Sequence, residues 1–421
     1  LYGALDAKEV IQVETAYKTK DILKKFDISR QTLYNWISNS FISKPDTDWR
    51  GWMIWEERHI EEISKFIEKK KAKIESRQKN TDQYVQIHSR RYLGSKYKLI
   101  PLIKNVVQKE CEPFKTFADI FAGTGIVAAA FNSINTKVIV NDVLYSNYII
   151  YNAFFSNEPY NKAKINQLIN QLNSITPKED NYFSINFGDT YFSYENALKI
   201  GAIRELIENW AKSNLINFRE KAILITSLIY AMDKVANTCG HYDAFRKTID
   251  SGAMPIQLLM PYIEDEANKN NEIYRIDANL LVRERKADII YIDTPYNSRQ
   301  YSDSYHLLEN VARWEKPEVV GMARKMVDRS DIKSDYCTKK APVVFKDLIE
   351  NCNCKYIIVS YNNMAQKGDG RSNAKISDDE IVEILQNKGK VKVFDTDYKY
   401  FTAGKATIGG HKERLFLCKV E

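Results

Sequence analysis

The chain has 421 residues, a formal net charge of +7 and 28% charged residues. This length allows two or three domains with a large core, and the small basic excess fits a nucleic-acid partner without requiring one. No apolar run approaches the ~18 residues of a membrane span, no signal peptide is visible, and six scattered cysteines argue for reduced structural thiols in a cytoplasmic protein, with no metal site.

Residues 1–16 carry no clear pattern. Thr19 to Phe26 has helical spacing behind a threonine cap, Asp27-Ile28 reads as a turn, and Ser29 can cap a second helix over Arg30 to Ile37. Ile22, Leu23, Phe26, Leu33, Trp36 and Ile37 would form a small core. Arg30, Gln31, Tyr34 and Asn35 would lie on the outer face of the second helix. The pattern resembles a helix-turn-helix, and Trp49 to Trp55 looks like the strand of a wing, as in MerR-type winged domains. Arg, Gln and Asn are side chains that read base edges, which favours DNA over a protein partner. A charged helix from about Glu56 to Lys79 closes this region, so residues 1–80 read as a winged helix-turn-helix with a linker helix.

Beyond the basic block Arg90-Arg91-Tyr92-Leu93-Gly94-Ser95-Lys96 and an amphipathic helix around Leu99 to Val107, Thr116 to Phe121 reads as a strand. Ala122-Gly123-Thr124-Gly125 is a tight turn opening a helix at Ile126, and Lys137 to Asp142 is a second strand ending in an acid. Glycines let the backbone approach a ligand, the helix start presents free N–H groups, and the acid can hold a ribose diol. The third glycine of the dinucleotide fingerprint is missing, so NAD is not favoured.

Residues 151–270 are too long for a simple crossover and carry amphipathic helices over Leu198 to Trp210 and Phe218 to Val235. Asn237 to Lys247 joins polar, aromatic and basic residues without periodicity, which suits a DNA-contact loop through His241, Arg246 and Lys247. Ala287 to Ile292 is an apolar, β-rich run that Pro295 stops, placing Asp293, Thr294, Pro295 and Tyr296 at the carboxyl end of a buried strand. In open α/β sheets that edge is where ligands bind. Asp293 and the Thr294 carbonyl can accept the two N–H bonds of an exocyclic amine, and Tyr296 can stack on its base. Asn297-Ser298-Arg299-Gln300-Tyr301 follows, placed to track the strand around an extruded nucleotide, with Arg299 as its cation. Lys316 to Lys340 reads as a charged, mobile loop. Lys355 to Ser360 is another buried strand, and Val391 to Phe394 with Arg414 to Cys418 looks like a closing antiparallel pair, linked by the glycine-rich stretch 404–410.

Three blocks together, Arg91 to Lys96, Asp119 to Gly125 and Asp293 to Tyr296, resemble the S-adenosylmethionine-dependent DNA adenine-N6 methyltransferases of the Dam and FokI-type modification group. The resemblance covers roughly residues 88–421. It implies an α/β, Rossmann-like class I methyltransferase fold: a mostly parallel seven-stranded sheet with a reversed C-terminal strand, from residues 88–150 and 271–421. The helical insertion 151–270 would hold the target-recognition region. Tyr92 and Lys96 would contact the methionine part of the cofactor, with Lys96 near its carboxylate. Asp119, Phe121, Gly123 and Gly125 would shape that pocket, Asp142 would take the ribose and Asp277 the cofactor's adenine amino group. Thr294 departs from the commoner Asp-Pro-Pro-Tyr, which bears on rate and base geometry more than on reaction type. The implied activity is methylation of a flipped adenine in double-stranded DNA, with a restriction endonuclease as a possible partner. Cytosine-N4 or RNA adenine methylation is the near alternative and an inactive DNA-binding regulator the distant one. Asp293 in place of the serine usual in N4 enzymes favours adenine.

Overall fold

The structure, a computed structural model, describes residues 17–26, 28, 30–38, 41–68, 84–247, 254–296, 298–362, 375–397 and 412–421. The chain divides into two compact units, Leu1–Gln83 and Tyr84–Glu421.

In the first unit, helices α1 (Thr19–Phe26), α2 (Arg30–Ser38) and α3 (57–68) enclose Ile22, Leu33, Trp36, Ile42, Trp55, Ile60 and Ile63. Leu23, Phe26 and Ile37 pack against this cluster half-buried. The expected strand over 49–55 forms only single bridges, Tyr17 with Trp55 and Thr47 with Met53. Asp48 explains this locally: its carboxylate accepts the N–H groups of Arg50 and Trp52, donors that a ladder would need. The expected helix to Lys79 is described only as far as residue 68; the rest, like Asp27, Ser29 and the 404–410 stretch, lies outside the described residues.

The second unit is built on seven strands: β1 (Thr116–Asp119), β2 (Lys137–Asn141), β3 (Glu272–Tyr274), β4 (Ile289–Ile292), β5 (Tyr356–Asn362), β6 (Gly389–Asp397) and β7 (Lys412–Val420). Their order is β3-β2-β1-β4-β5-β7-β6, and only β7 runs against its neighbours. The strand order reverses beside β1, at the β1–β4 seam. Asp119 pairs with Tyr291 there, so the ends of β1 and β4 lie side by side. Alternate residues feed the two faces, as the two-residue period of a strand requires. Ile290, Ile357, Val359 and Phe416 enter one core; Ile289, Tyr291, Ile358 and Leu415 enter the other.

Helices α4 (Ile100–Glu110) and α5 (Ile126–Phe131) accompany β1. Next come α6 (Tyr145–Phe155), α7 (Lys162–Ser174), α8 (Tyr182–Phe187), α9 (Tyr194–Lys212) and α10 (Phe218–Val235). Helix α10 starts at a capping box of Asn217 and Glu220, and its run Ala222–Asp233 is buried throughout. It packs with α6, β2 and, beyond the short α12 (Tyr301–Ser304), helix α13 (His306–Arg313) in one core, so the helical insertion is continuous with the sheet layer. Helices α11 (Ala278–Glu284), α14 (Ala341–Asn351) and α15 (Asp378–Gln386) cover the other face. Among the described residues, no helix is long and apolar enough to cross a membrane.

The segment 316–340, expected to be mobile, is pinned. Val319–Val320 pairs with Lys325–Met326, and Asp331 bonds Arg313 at 2.7 Å. Ile332 and Tyr336 are buried. Lys325, Arg329 and Asp331 are spent on partners within the fold, which the absence of periodicity concealed.

Candidate active site

Backbone form dictates the glycine turn. Gly123 and Gly125 have φ of +52° and +74°, which β-carbon-bearing residues rarely adopt. A Cβ on Gly123 would lie 3.1 Å from the Tyr92 ring, and one on Gly125 would crowd Phe155, Ile87 and Tyr151. The turn is thus held open on one side and packed on the other.

Asp119, at the end of β1, is almost fully buried. Its Oδ2 accepts the Ala128 N–H of α5 at 3.1 Å, while Oδ1 has no hydrogen-bond partner among the described residues. Burial, with the Asp293 and Asp142 charges nearby, holds this carboxyl well above the usual carboxylate range. A lone buried acceptor facing a cavity calls for a cationic or N–H donor. Asp142 follows β2 and accepts from the Gly123 N–H (3.0 Å), the Leu144 N–H (2.9 Å) and the Asn147 amide (2.9 Å). Burial raises it to about 6 despite these bonds. Asp277 caps α11 by accepting the Asn279 N–H at 2.8 Å and is exposed at the cavity rim. Phe121 also lines the cavity, edge-on to Tyr336 at 5.1 Å.

At the end of β4, Asp293 Oδ1 lies 2.9 Å from Lys96 Nζ, with the two side chains 16% and 5% exposed. Lys96, expected beside a cofactor carboxylate, pairs with Asp293 in this structure. Thr294 is buried and its hydroxyl lacks a partner among the described residues, while Pro295 faces the cavity. Tyr296 was expected as an open stacking platform. Its ring is only 7% exposed, edge-on to Tyr361 at 5.6 Å, with Lys96 Nζ 5.4 Å from its centre. The platform is covered in this structure: the ring is packed in the core beside Tyr361, and the lysine that pairs with Asp293 also lies over it.

One cavity of about 300 Å³ joins these parts. It runs from Lys96, Asp293 and Pro295, past Asp119, Gly123 and Asp142, to Ile276, Asp277 and Tyr336. Tyr92 lines it and stacks on Tyr305 at 4.4 Å and 2°. The donor set fits S-adenosylmethionine: an unpaired buried carboxylate oxygen for an ammonium, an acid beside the glycine turn for a diol, and apolar walls with Asn279 and Tyr336 for a purine.

The loop 237–247 is moored at Tyr242. Its hydroxyl donates to Asp233 at 2.8 Å, its N–H to Ser304, and its carbonyl accepts from Tyr191 and His306. Around this anchor Arg246 and Lys247 are exposed, and His241 is half-buried with Nδ1 accepting the Asp243 N–H. Burial and the neighbouring Arg299 charge lower the His241 pKa, so Arg299, also exposed, belongs to the same surface. In the first unit Arg30 and Tyr34 are exposed on α2; the side chains of Gln31 and Asn35 lie outside the described set.

Three residues escaped the sequence reading. Asn141 bonds the Ile120 carbonyl and both main-chain groups of Ile276, clamping the ends of β1 and β3. A lone amide at the end of an apolar strand was its signal. Tyr242 had none beyond its place in the loop. Tyr336, whose hydroxyl donates to Asn279 at 2.6 Å, was hidden in the charged segment.

A mostly parallel sheet with one reversed strand, a glycine turn and an acid after β2 fits a Rossmann-like methyltransferase. Residues 92–368 match the D12 class N6 adenine-specific DNA methyltransferases, and the chain belongs to that family. The modification methylase StsI of Streptococcus sanguinis is 39% identical over 70% of this chain and 46% of its own length. The type II methyltransferase M.NlaIII of Neisseria lactamica is 34% identical over 76% of the chain and 95% of its own length. The type II methyltransferase M.FokI of Planomicrobium okeanokoites is 33% identical over 71% and 47%. The chain thus spans about half of StsI and M.FokI and nearly all of M.NlaIII.

Proposed function

We propose that the protein methylates the N6 amino group of a specific adenine in double-stranded DNA, as the modification half of a restriction system with a cognate endonuclease. The reading is carried by the continuous cavity that joins the unpaired Asp119 oxygen to the Asp293 corner.

S-adenosylmethionine, when bound, supplies a methyl group on a positively charged sulfur. The chain's own residues do the rest. Asp119, Asp142 and Asp277 hold the ammonium, the ribose and the purine end. Asp293 and the Thr294 carbonyl accept the two N–H bonds of the amine, localising a lone pair that is otherwise delocalised into the ring. Lys96 fixes the orientation of Asp293. The amine is hidden in a duplex, so the base must leave the stack at a cost of a few kcal/mol. Tyr296 takes it by stacking once Lys96 shifts off the ring. The nitrogen loses its proton to solvent after transfer, so Asp293 need not act as a strong base. Alignment of nitrogen with methyl is the main contribution of the site.

Residues 88–150 and 271–421 form the catalytic domain in this reading, and 151–270 carry target recognition. Arg246, Lys247 and Arg299, with His241, would meet the phosphates around the extruded nucleotide. The first unit would act as a winged helix-turn-helix, reading DNA through Arg30, Gln31, Tyr34 and Asn35.

The test is incubation with methyl-labelled S-adenosylmethionine and duplex DNA, followed by digestion to nucleosides. Label in N6-methyldeoxyadenosine is expected with the native chain and not with Asp293→Ala. Label on cytosine, or transfer undiminished in the variant, overturns the assignment.

A further inference from the structure

Immediately after the catalytic block, successive side chains diverge toward different parts of the protein. Arg299 is exposed beside the 237–247 loop, on the face read as meeting DNA. Tyr301 stacks with Tyr92 and donates to the Leu93 carbonyl at 3.4 Å, against the methionine end of the cavity. Gln300, between them, reaches the segment that closes the far side of the cavity. Its Nε2 donates to the Ser334 carbonyl at 3.0 Å, and its Oε1 accepts the Ser334 N–H at 2.9 Å. The amide thus makes a two-bond clasp on the main chain of one residue, using donor and acceptor together.

The clasped segment is a wall of the cofactor cavity. Ile332 to Tyr336 line it, as does Gln300 itself. A second bond supports the same junction: the Cys337 thiol donates to the Arg299 carbonyl at 3.4 Å. Burial pushes that thiol up to about 12, so it stays protonated and able to donate. The segment is anchored at its base by Asp331 on Arg313 and at its far end by Tyr336 on Asn279. Between those anchors, Gln300 and the Cys337 thiol tie the wall to the catalytic strand.

We infer that Gln300 is a positioning residue that couples DNA engagement to cofactor retention. The inference rests on the assignment of the cavity to S-adenosylmethionine. DNA held by Arg299 and the 237–247 loop fixes the main chain at 299–301. That fixes Gln300 against Ser334 and keeps the wall closed over the ligand. Without DNA the same backbone is freer, the clasp opens more often, and ligand exchange is faster. A ligand shifts such an equilibrium only through a difference in contacts between the two states, and the clasp supplies that difference.

The experiment follows dissociation of labelled S-adenosylhomocysteine, which cannot turn over, from the full chain with and without duplex DNA bearing the methylated site. In the native protein DNA is expected to slow release roughly tenfold, the scale of one to two hydrogen bonds. Gln300→Ala should release fast in both conditions, with the DNA effect lost and DNA affinity in the absence of ligand unchanged. Gln300→Glu, which keeps the acceptor and loses the donor, should behave likewise and serves if the alanine variant does not fold. A native protein that holds the ligand but shows no DNA effect, or a folded variant that keeps the full effect, overturns the inference. A native protein that binds no S-adenosylhomocysteine overturns the cofactor assignment instead.

Discussion

Lys96 Nζ meets Asp293 Oδ1 at 2.9 Å, joining the first motif of the catalytic unit to the last. The pair is nearly dry, so each charge depends on the other: removing one partner of a buried pair leaves the second uncompensated. Lys96→Met should therefore lower turnover by about 10²-fold, the scale seen when a preorganised electrostatic group is lost. Affinity for S-adenosylmethionine should stay within a few-fold. Single-turnover kinetics with calorimetric binding separates the cases, and a large loss of affinity with normal turnover would return Lys96 to the cofactor carboxylate.

Asp119 offers a cleaner probe of the ammonium site. Asp119→Asn keeps an oxygen for the Ala128 N–H that starts α5, so folding should survive. The amide nitrogen then replaces the unpaired oxygen and turns an acceptor into a donor. Losing a charge-assisted bond should weaken cofactor binding by about 10–100-fold. Equal affinity in isothermal titration would remove Asp119 from the ligand contacts.

Thr294→Val tests how the second position of the catalytic block is used. The Thr294 hydroxyl is buried without a partner among the described residues, while the carbonyl is the group assigned to the amine. Valine keeps the shape and carbonyl and deletes the hydroxyl. Turnover should stay within a few-fold, and stability should hold or rise by about 1 kcal/mol. A collapse in turnover would mean that the hydroxyl itself contacts the substrate.

The sequence disclosed whatever local pattern encodes. Helix α10 has the bounds read from its periodicity, and β4, the glycine turn and α5 follow from apolar runs and two glycines. The Lys96–Asp293 pair was not legible, because a contact between residues so far apart depends on how the sheet closes. The 316–340 segment misled for a related reason: its charges look solvated until Arg313 and Arg275 are seen to hold Asp331. Tyr296 reads as a platform from its motif; its packing under Lys96 is tertiary, which the motif does not encode.

Asp142 gives the cofactor site a pH dependence. Burial raises its pKa to about 6, so at pH 5 the folded protein carries mostly the neutral acid. A diol donates best to the ionised form. Affinity for S-adenosylmethionine should therefore rise between about pH 5 and 7 and level off above. Asp142→Asn should bind more weakly and lose that slope. A native profile flat across the interval would place the ribose elsewhere.

His306 should make the fold acid-sensitive. It is fully buried under the 237–247 loop, its Nε2 2.9 Å from the Tyr242 carbonyl and its Nδ1 without a partner among the described residues. The carbonyl can only accept, so Nε2 carries the proton and the ring is neutral. Burial lowers its pKa from 6.5 to about 4. Above pH 6.5 folded and unfolded chains are both neutral at this site, and its full stability contribution is present. Between about 6.5 and 4 the unfolded chain takes up a proton that the folded chain refuses, so stability falls by up to about 1.4 kcal/mol per pH unit. Asp142 works the other way, since its raised pKa makes the folded state bind the extra proton below about pH 6. The readout is therefore the difference between native protein and His306→Gln, whose amide can still donate to Tyr242. Urea midpoints at pH 7.5, 6 and 5, by analogy with the span of this titration, should converge as pH falls, because only the native chain loses stability here. Parallel curves would show that the ring is protonated or exposed in the folded state.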